Sequence, residues 1–181
     1  MKIAIIGSHG VGKTTIARHI SKITRLPYIH EVARDSNDMG YEISSTSPNS
    51  TTQLMIFLRQ LRNEMCLWRG VFDRSLIDNV AYSIALNSFD YNILREMEKI
   101  AVESAKNFCS IFMLHRFSDN IEKDNCRPDD LAYHIRIEKI IEKLLTINNV
   151  EYHDIQETTI EDRTSKIMRI LNKYESAWGV L

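Results

Sequence analysis

An α/β fold is predicted by this sequence: a three-layer α/β/α sandwich around a five-stranded parallel sheet. Three observations carry the prediction. Short apolar runs alternate with longer stretches of helical periodicity along all 181 residues, as strands joined by crossover helices do. The runs are continuously apolar rather than alternating, as in strands covered on both faces. The first of them, Ile3-Ala4-Ile5-Ile6, leads directly into a glycine-rich loop and then a helical pattern.

That loop reads Gly7-Ser8-His9-Gly10-Val11-Gly12-Lys13-Thr14, the spacing G-x-x-x-x-G-K-[ST] of a phosphate-binding loop between strand and helix. Gly7, Gly10 and Gly12 allow the backbone to turn tightly and point successive N–H groups inward as an anion nest. Lys13 reaches the β- and γ-phosphates of a nucleotide, and the Thr14 hydroxyl is placed for Mg²⁺. The helix expected from about Thr14 to Ile23 aims its positive end at the same phosphates. The stretch from Gly7 to Thr15 is therefore the candidate nucleotide-binding segment. His9 is read as a variable loop residue, because most positions of such a loop present backbone.

The remaining elements follow in order. Tyr28–His30 is the second strand, supported mainly by its place in the alternation. Leu54, Leu58, Leu61, Met65 and Trp68 recur at one helical spacing and predict a helix with that stripe against the core; Met55 and Phe57 are read as packing too. Val71–Asp73 is the third strand. Asn92–Lys106 is rich in helix formers and precedes the fourth strand, Cys109–Leu114, in which Cys109 is expected as a small apolar core residue. Tyr133, Ile137, Ile140, Ile141 and Leu144 form a stripe before the fifth strand, Val150–His153. Ile160, Ile167, Leu171 and Tyr174 predict a closing helix.

Composition narrows the function. A net charge of −1 gives no overall basic footprint, which disfavours long nucleic acids and anionic membranes as partners. No apolar run approaches the roughly 20 residues of a membrane span, and the short N-terminal run leads into the phosphate loop rather than a cleavage site. The cysteines Cys66, Cys109 and Cys126 lack metal spacing and read as reduced thiols of a cytoplasmic protein. His30, His115, His134 and His153 show no mutual metal spacing either. The helical stripes suit a monomer core or a homodimer face alike.

In parallel sheets ligands sit at the carboxyl ends of the strands, so the residues there are the chemical candidates. Asp73, ending the third strand, suits a water or direct contact to nucleotide-bound Mg²⁺, or else a helix cap. Arg74 beside it suits an acceptor oxygen or phosphate. Glu31, after the second strand, suits general-base work on an attacking hydroxyl; Arg34 suits a substrate phosphate or a brace for Glu31, or the two form a surface pair one helical turn apart. Between the fourth and fifth strands lie Arg116, Arg127 and Arg136. Arg127 opens Arg-Pro-Asp-Asp, whose Pro128 fits a first helical position. Such arginines can fold over a transferring phosphoryl group and stabilise its charge, or else line a solvated helix face with Lys139 and Lys143.

Taken together, the phosphate loop, Glu31-x-x-Arg34, Phe72-Asp73-Arg74-Ser75-Leu76-Ile77-Asp78 and Arg127-Pro128-Asp129-Asp130 resemble the small P-loop kinases, nearest the ribosylnicotinamide-kinase-like, thymidylate kinase and deoxynucleoside kinase group. The resemblance spans nearly the whole chain. It implies a P-loop NTPase fold with sheet order 2-3-1-4-5, one domain over 1–181, and a lid at about 116–136. It further implies ATP and Mg²⁺ as cofactors, Thr14 and Asp73 as metal residues, and Glu31, Arg34 and Arg74 at the substrate site. Lys13, Glu31, Asp73, Arg74, Arg127 and Arg136 become the candidate catalytic set for phosphoryl transfer to a nucleoside or nucleoside monophosphate. The segment from Asp35 to Ser50 matches no substrate loop of that group, and the lid is short. A guanine-reading Asn-Lys-x-Asp motif is missing, which disfavours GTPase switching. A regulatory ATPase without a small-molecule acceptor and a kinase acting on nucleic-acid ends or bases stand as alternatives.

Overall fold

The computed structural model describes residues 1–33, 49–116 and 131–178, with side chains described as far as Tyr174. The elements run β1 (Lys2–Ile6), α1 (Lys13–Thr24), β2 (Tyr28–Ile29), α2 (Ser50–Cys66), β3 (Gly70–Asp73), α3 (Leu76–Ala85), α4 (Tyr91–Ala105), β4 (Ser110–Leu114), α5 (Leu131–Ile147), β5 (His153–Ile155) and α6 (Ile160–Trp178). The strands form one sheet in the order β2-β3-β1-β4-β5, and every pairing is parallel. The expected fold class and strand order are both present.

β1 explains the layering. Its side chains alternate between faces, and every one of them is buried. Ala4 and Ile6 join Ile111 and Met113 under Leu76 and Val80 of α3, Ala101 of α4, and Ile137 and Ile141 of α5. Ile3 and Ile5 join Val71, Phe112 and Leu114 under Ile16 and Ile20 of α1, and Ile167 and Leu171 of α6. Two cores on opposite faces of one sheet make the three layers. Among the described residues no helix is long and apolar enough to cross a membrane.

Three sequence expectations are corrected here. The fifth strand lies at His153–Ile155 rather than Val150–His153. The backbone N–H of Val150 is bonded to the Leu145 carbonyl, and that of Asn149 to Thr146, with Asn149 left-handed at φ 52°; these residues close α5 instead of extending the sheet. Cys109 precedes β4 and is exposed. Most of the stripe on and just after α2 faces outward: Leu54, Leu58, Met65 and Trp68 are 41%, 47%, 76% and 74% exposed, while Leu61 packs against the core as expected. The inward face carries Ile56 and Phe57 together with Gln53, Gln60 and Glu64. It is polar because it serves the first turn of α3, as the contacts of Glu64 show below.

Candidate active site

The site begins where β1 ends. Gly7, Gly10 and Gly12 all have positive φ, at 138°, 72° and 85°. Gly7 is irreplaceable on two counts: that φ disfavours L side chains, and a Cβ there would lie 2.5 Å from the Leu114 carbonyl oxygen. Gly12 is the left-handed N-cap of α1, with no side-chain cap on the helix, so the free N–H groups of the first turn stay available to an anion. Thr15 is exposed at this end. The buried Lys13 folds its ammonium onto the Ser8 carbonyl. Burial first, and then the Arg74 guanidinium, pull Lys13 down from 10.5 to about 7, against the carboxylates of Asp78, Glu31 and Asp73.

β3 brings the next set alongside. Asp73 pairs in register with Ile5, which sets it level with the entry to the phosphate loop. Its Oδ2 accepts from Thr14 Oγ1 at 2.6 Å and from the Tyr28 hydroxyl at 2.9 Å. Its Oδ1 is buried with no hydrogen-bond partner. Buried oxygen donors of this kind suit a hard cation such as Mg²⁺, so the expected metal pair, Thr14 and Asp73, fits the ion.

Arg74 has φ 83°, a conformation costly for a side chain as large as arginine. Its backbone N–H bonds to Ile5 O at 3.0 Å, and its carbonyl accepts from Gln60 Nε2 at 3.3 Å. Its Nε donates to Glu31 Oε1 at 2.6 Å, and Nη1 lies 3.6 Å from Asp78 Oδ1. Both side chains of the Arg74–Glu31 pair are buried. The guanidinium is 5.1 Å from the centre of the Tyr82 ring. Glu31 reaches it because the residues after β2, Val32 and Ala33, pack against Ile56 of α2.

Residues outside the expected catalytic and binding set hold this arrangement together. Asp78 is fully buried; its Oδ1 accepts the Gly7 N–H at 3.1 Å while its Oδ2 accepts the Ser75 N–H at 2.9 Å. One carboxylate thus ties the phosphate loop to the cap of α3. Burial pushes its pKa up, against Arg74 and Lys13. Glu64 ties α2 to the first turn of α3 and to α4: Oε1 accepts from Leu76 N–H at 2.7 Å and Gln60 Nε2 at 2.9 Å, and Oε2 from Ser104 Oγ at 2.5 Å. Desolvation raises Glu64 as well. Arg163 on α6, 1% exposed, donates to the carbonyls of Val11, Glu157 and His115. His115 sits between Glu138 Oε1, at 2.5 Å, and Asp154 Oδ1; these contacts, led by Glu138, raise it to about 9.

His9 is not a passive loop position. It is buried, its ring centre is 3.6 Å from that of His134 on α5, and Nδ1 is 3.2 Å from the Tyr82 hydroxyl. Asp78 stood inside a quoted motif and was legible as a capping-box partner of Ser75; Glu64 and Arg163 carried no local signal. Of the expected site residues, Gly7 to Thr15, Glu31, Asp73 and Arg74 converge at one end of the sheet. Arg136 is exposed on α5. Arg34, Arg127 and most of the expected lid lie outside the described residues.

Comparison with known proteins agrees with the fold. Similar solved structures include deoxyadenosine kinase from M. mycoides with products dCMP and a flexible dCDP bound, at 20% identity and a TM-score of 0.65, covering 96% of this chain and 100% of that one. Thymidylate kinase from Candida albicans aligns at 14% identity and a TM-score of 0.63, over 96% and 92% of the two chains. NadR protein in complex with NAD and AMP-PNP aligns at 13% and 0.69, covering 99% of this chain and 50% of that one. These are members of the group the motifs resemble, and they share the fold. No curated protein matches the sequence. The family model of the AAA domain, AAA_28, matches residues 2–163, and the chain belongs to that family of P-loop domains.

Proposed function

We propose that this protein is an ATP- and Mg²⁺-dependent kinase that transfers the γ-phosphoryl group to a nucleoside or nucleoside monophosphate. The observation that carries the reading is the buried Glu31–Arg74 ion pair, held beside Asp73 and within electrostatic reach of Lys13. A carboxylate and a guanidinium buried together next to the phosphate loop are suited to orient and bind a hydroxyl or phosphate acceptor. The fold likeness to deoxyadenosine kinase and thymidylate kinase supports the same reading.

In this mechanism the loop N–H groups from Ser8 to Thr14 and the Lys13 ammonium hold the β- and γ-phosphates and take up charge that develops between them. Thr14 and Asp73 would hold Mg²⁺, which would supply positive charge against the phosphates. Glu31, oriented by Arg74, accepts the proton of an attacking hydroxyl. With a monophosphate acceptor no base is needed, and Arg74 and Arg34 serve to bind its phosphate. Arg127 and Arg136 supply lid charge to the transition state. A small acceptor in place of nucleic acid or membrane partners and a cytoplasmic setting belong to the same proposal, with a monomer and a homodimer both compatible.

An ATP-consumption assay with Mg²⁺ over nucleosides, their monophosphates, ribosylnicotinamide and a short single-stranded oligonucleotide tests it, with Lys13→Ala as the blank. Turnover on one small acceptor, far above basal hydrolysis, is expected. Equal basal hydrolysis with every acceptor overturns the reading in favour of a regulatory ATPase; turnover on the oligonucleotide alone overturns the acceptor class.

A further inference from the structure

Tyr28 stands at a place the phosphate-transfer reading does not use. On β2 it pairs in register with Val71 of β3, two residues before Asp73, so the side chains at 71 and 73 leave one face of the sheet. α1 covers that face. The Tyr28 ring packs at the edge of the core there, with the Arg18 guanidinium 5.3 Å from its centre. Its hydroxyl donates at 2.9 Å to Asp73 Oδ2, the oxygen that also accepts from Thr14 at 2.6 Å.

The terminal torsion of an aspartate is broad, so one donor fixes the place of a carboxylate oxygen but leaves the plane free to swing. Two donors from opposite elements, α1 and β2, fix the plane. The other oxygen, Oδ1, is then held in one direction, buried and unpartnered. We propose that Tyr28 is a positioning residue for the divalent cation: its hydroxyl locks the Asp73 carboxylate so that Oδ1 is presented to the ion. The inference rests on the assignment of Thr14 and Asp73 to Mg²⁺. Partners that orient a metal-binding group are worth roughly 10–100-fold in metal affinity; an intact Thr14 contact sets the expectation here at the low end.

The test uses Tyr28→Phe, which keeps the ring in the core and removes one oxygen, with Asp73→Asn as reference. Mn²⁺ is titrated by electron paramagnetic resonance into each protein saturated with a non-hydrolysable ATP analogue, and analogue affinity is measured separately without metal. Mn²⁺ binding in Tyr28→Phe is expected to weaken about tenfold, with metal-free analogue affinity unchanged. Wild-type Mn²⁺ affinity in Tyr28→Phe, beside a weakened Asp73→Asn, overturns the role of Tyr28 alone. Wild-type affinity in Asp73→Asn overturns the metal assignment and the inference with it. An equal loss of metal-free analogue affinity in Tyr28→Phe makes Tyr28 a packing residue and also overturns it.

Discussion

Arg163 Nη1 donates to the carbonyl of Val11 at 2.6 Å, joining α6 to the phosphate loop across 152 residues. The same guanidinium serves the Glu157 and His115 carbonyls, so one side chain holds the loop, the end of β4 and the start of α6 in register. Hydrogen bonds from a charged donor are worth about 1.5–3 kcal/mol each. Arg163→Ala is therefore expected to lose at least ~3 kcal/mol in urea unfolding. Arg163→Lys should recover under half of that, since an ammonium cannot fork to three carbonyls. An unchanged denaturation midpoint in Arg163→Ala would sink this account.

Lys13 ties nucleotide binding to pH. Burial and Arg74 hold it at about 7 without ligand, below its ordinary 10.5; a bound polyphosphate restores the charged form and raises the value again. Between the two values binding takes up a proton, so affinity falls as pH rises above about 7, by up to tenfold per unit. Metal-free calorimetry at pH 8 in two buffers of different ionisation enthalpy should show that uptake. Identical heats in both buffers would contradict it.

His115 gives a second dependence of opposite origin. Its folded value is raised from 6.5 to about 9 by Glu138 and Asp154, with Glu142 4.0 Å away and Arg163 on its carbonyl. A raised value stabilises the fold fully below about pH 6.5, and the gain is lost as pH climbs through 9. Urea unfolding of the wild type should therefore weaken between those limits, and His115→Gln should flatten that slope. A variant with the wild-type slope would show that other groups cause it.

Glu31→Gln separates the acceptor classes. With a hydroxyl acceptor, loss of the base should lower kcat at least ~10²-fold; with a phosphate acceptor the change should stay within a few-fold. Because Arg74 loses a buried counter-charge in this variant, its thermal midpoint is read alongside. Full turnover on a nucleoside by a folded Glu31→Gln would remove Glu31 from the chemistry.

The legible part of the site was the local part. Gly7 to Thr14 follow from spacing alone, because the loop is built from consecutive backbone groups, and Asp73 and Arg74 follow from standing at a strand end. Asp78, Glu64 and Arg163 act on backbone groups far off in sequence, with Asp78 reaching Gly7 over 71 residues, and no spacing rule reports such a contact. The stripe on α2 misled because periodicity tells which residues share a face and not which way that face turns. Here the inward turn is set by Glu64 accepting the Leu76 N–H. β5 was misplaced because the apolar Val150 that marked it closes a helix.

β1 lies in the middle of the sheet, bonded to β3 on one side and β4 on the other. Its amide hydrogens, each bonded to one neighbour or the other, lie in the buried centre of the sheet, which places them among the slowest to exchange and ties their opening to global unfolding. The phosphate loop hangs from that strand and is stapled to α3 by Asp78 and to α6 by Arg163. Polyphosphate then meets a cradle already frozen, so little of its binding free energy is spent on ordering the loop.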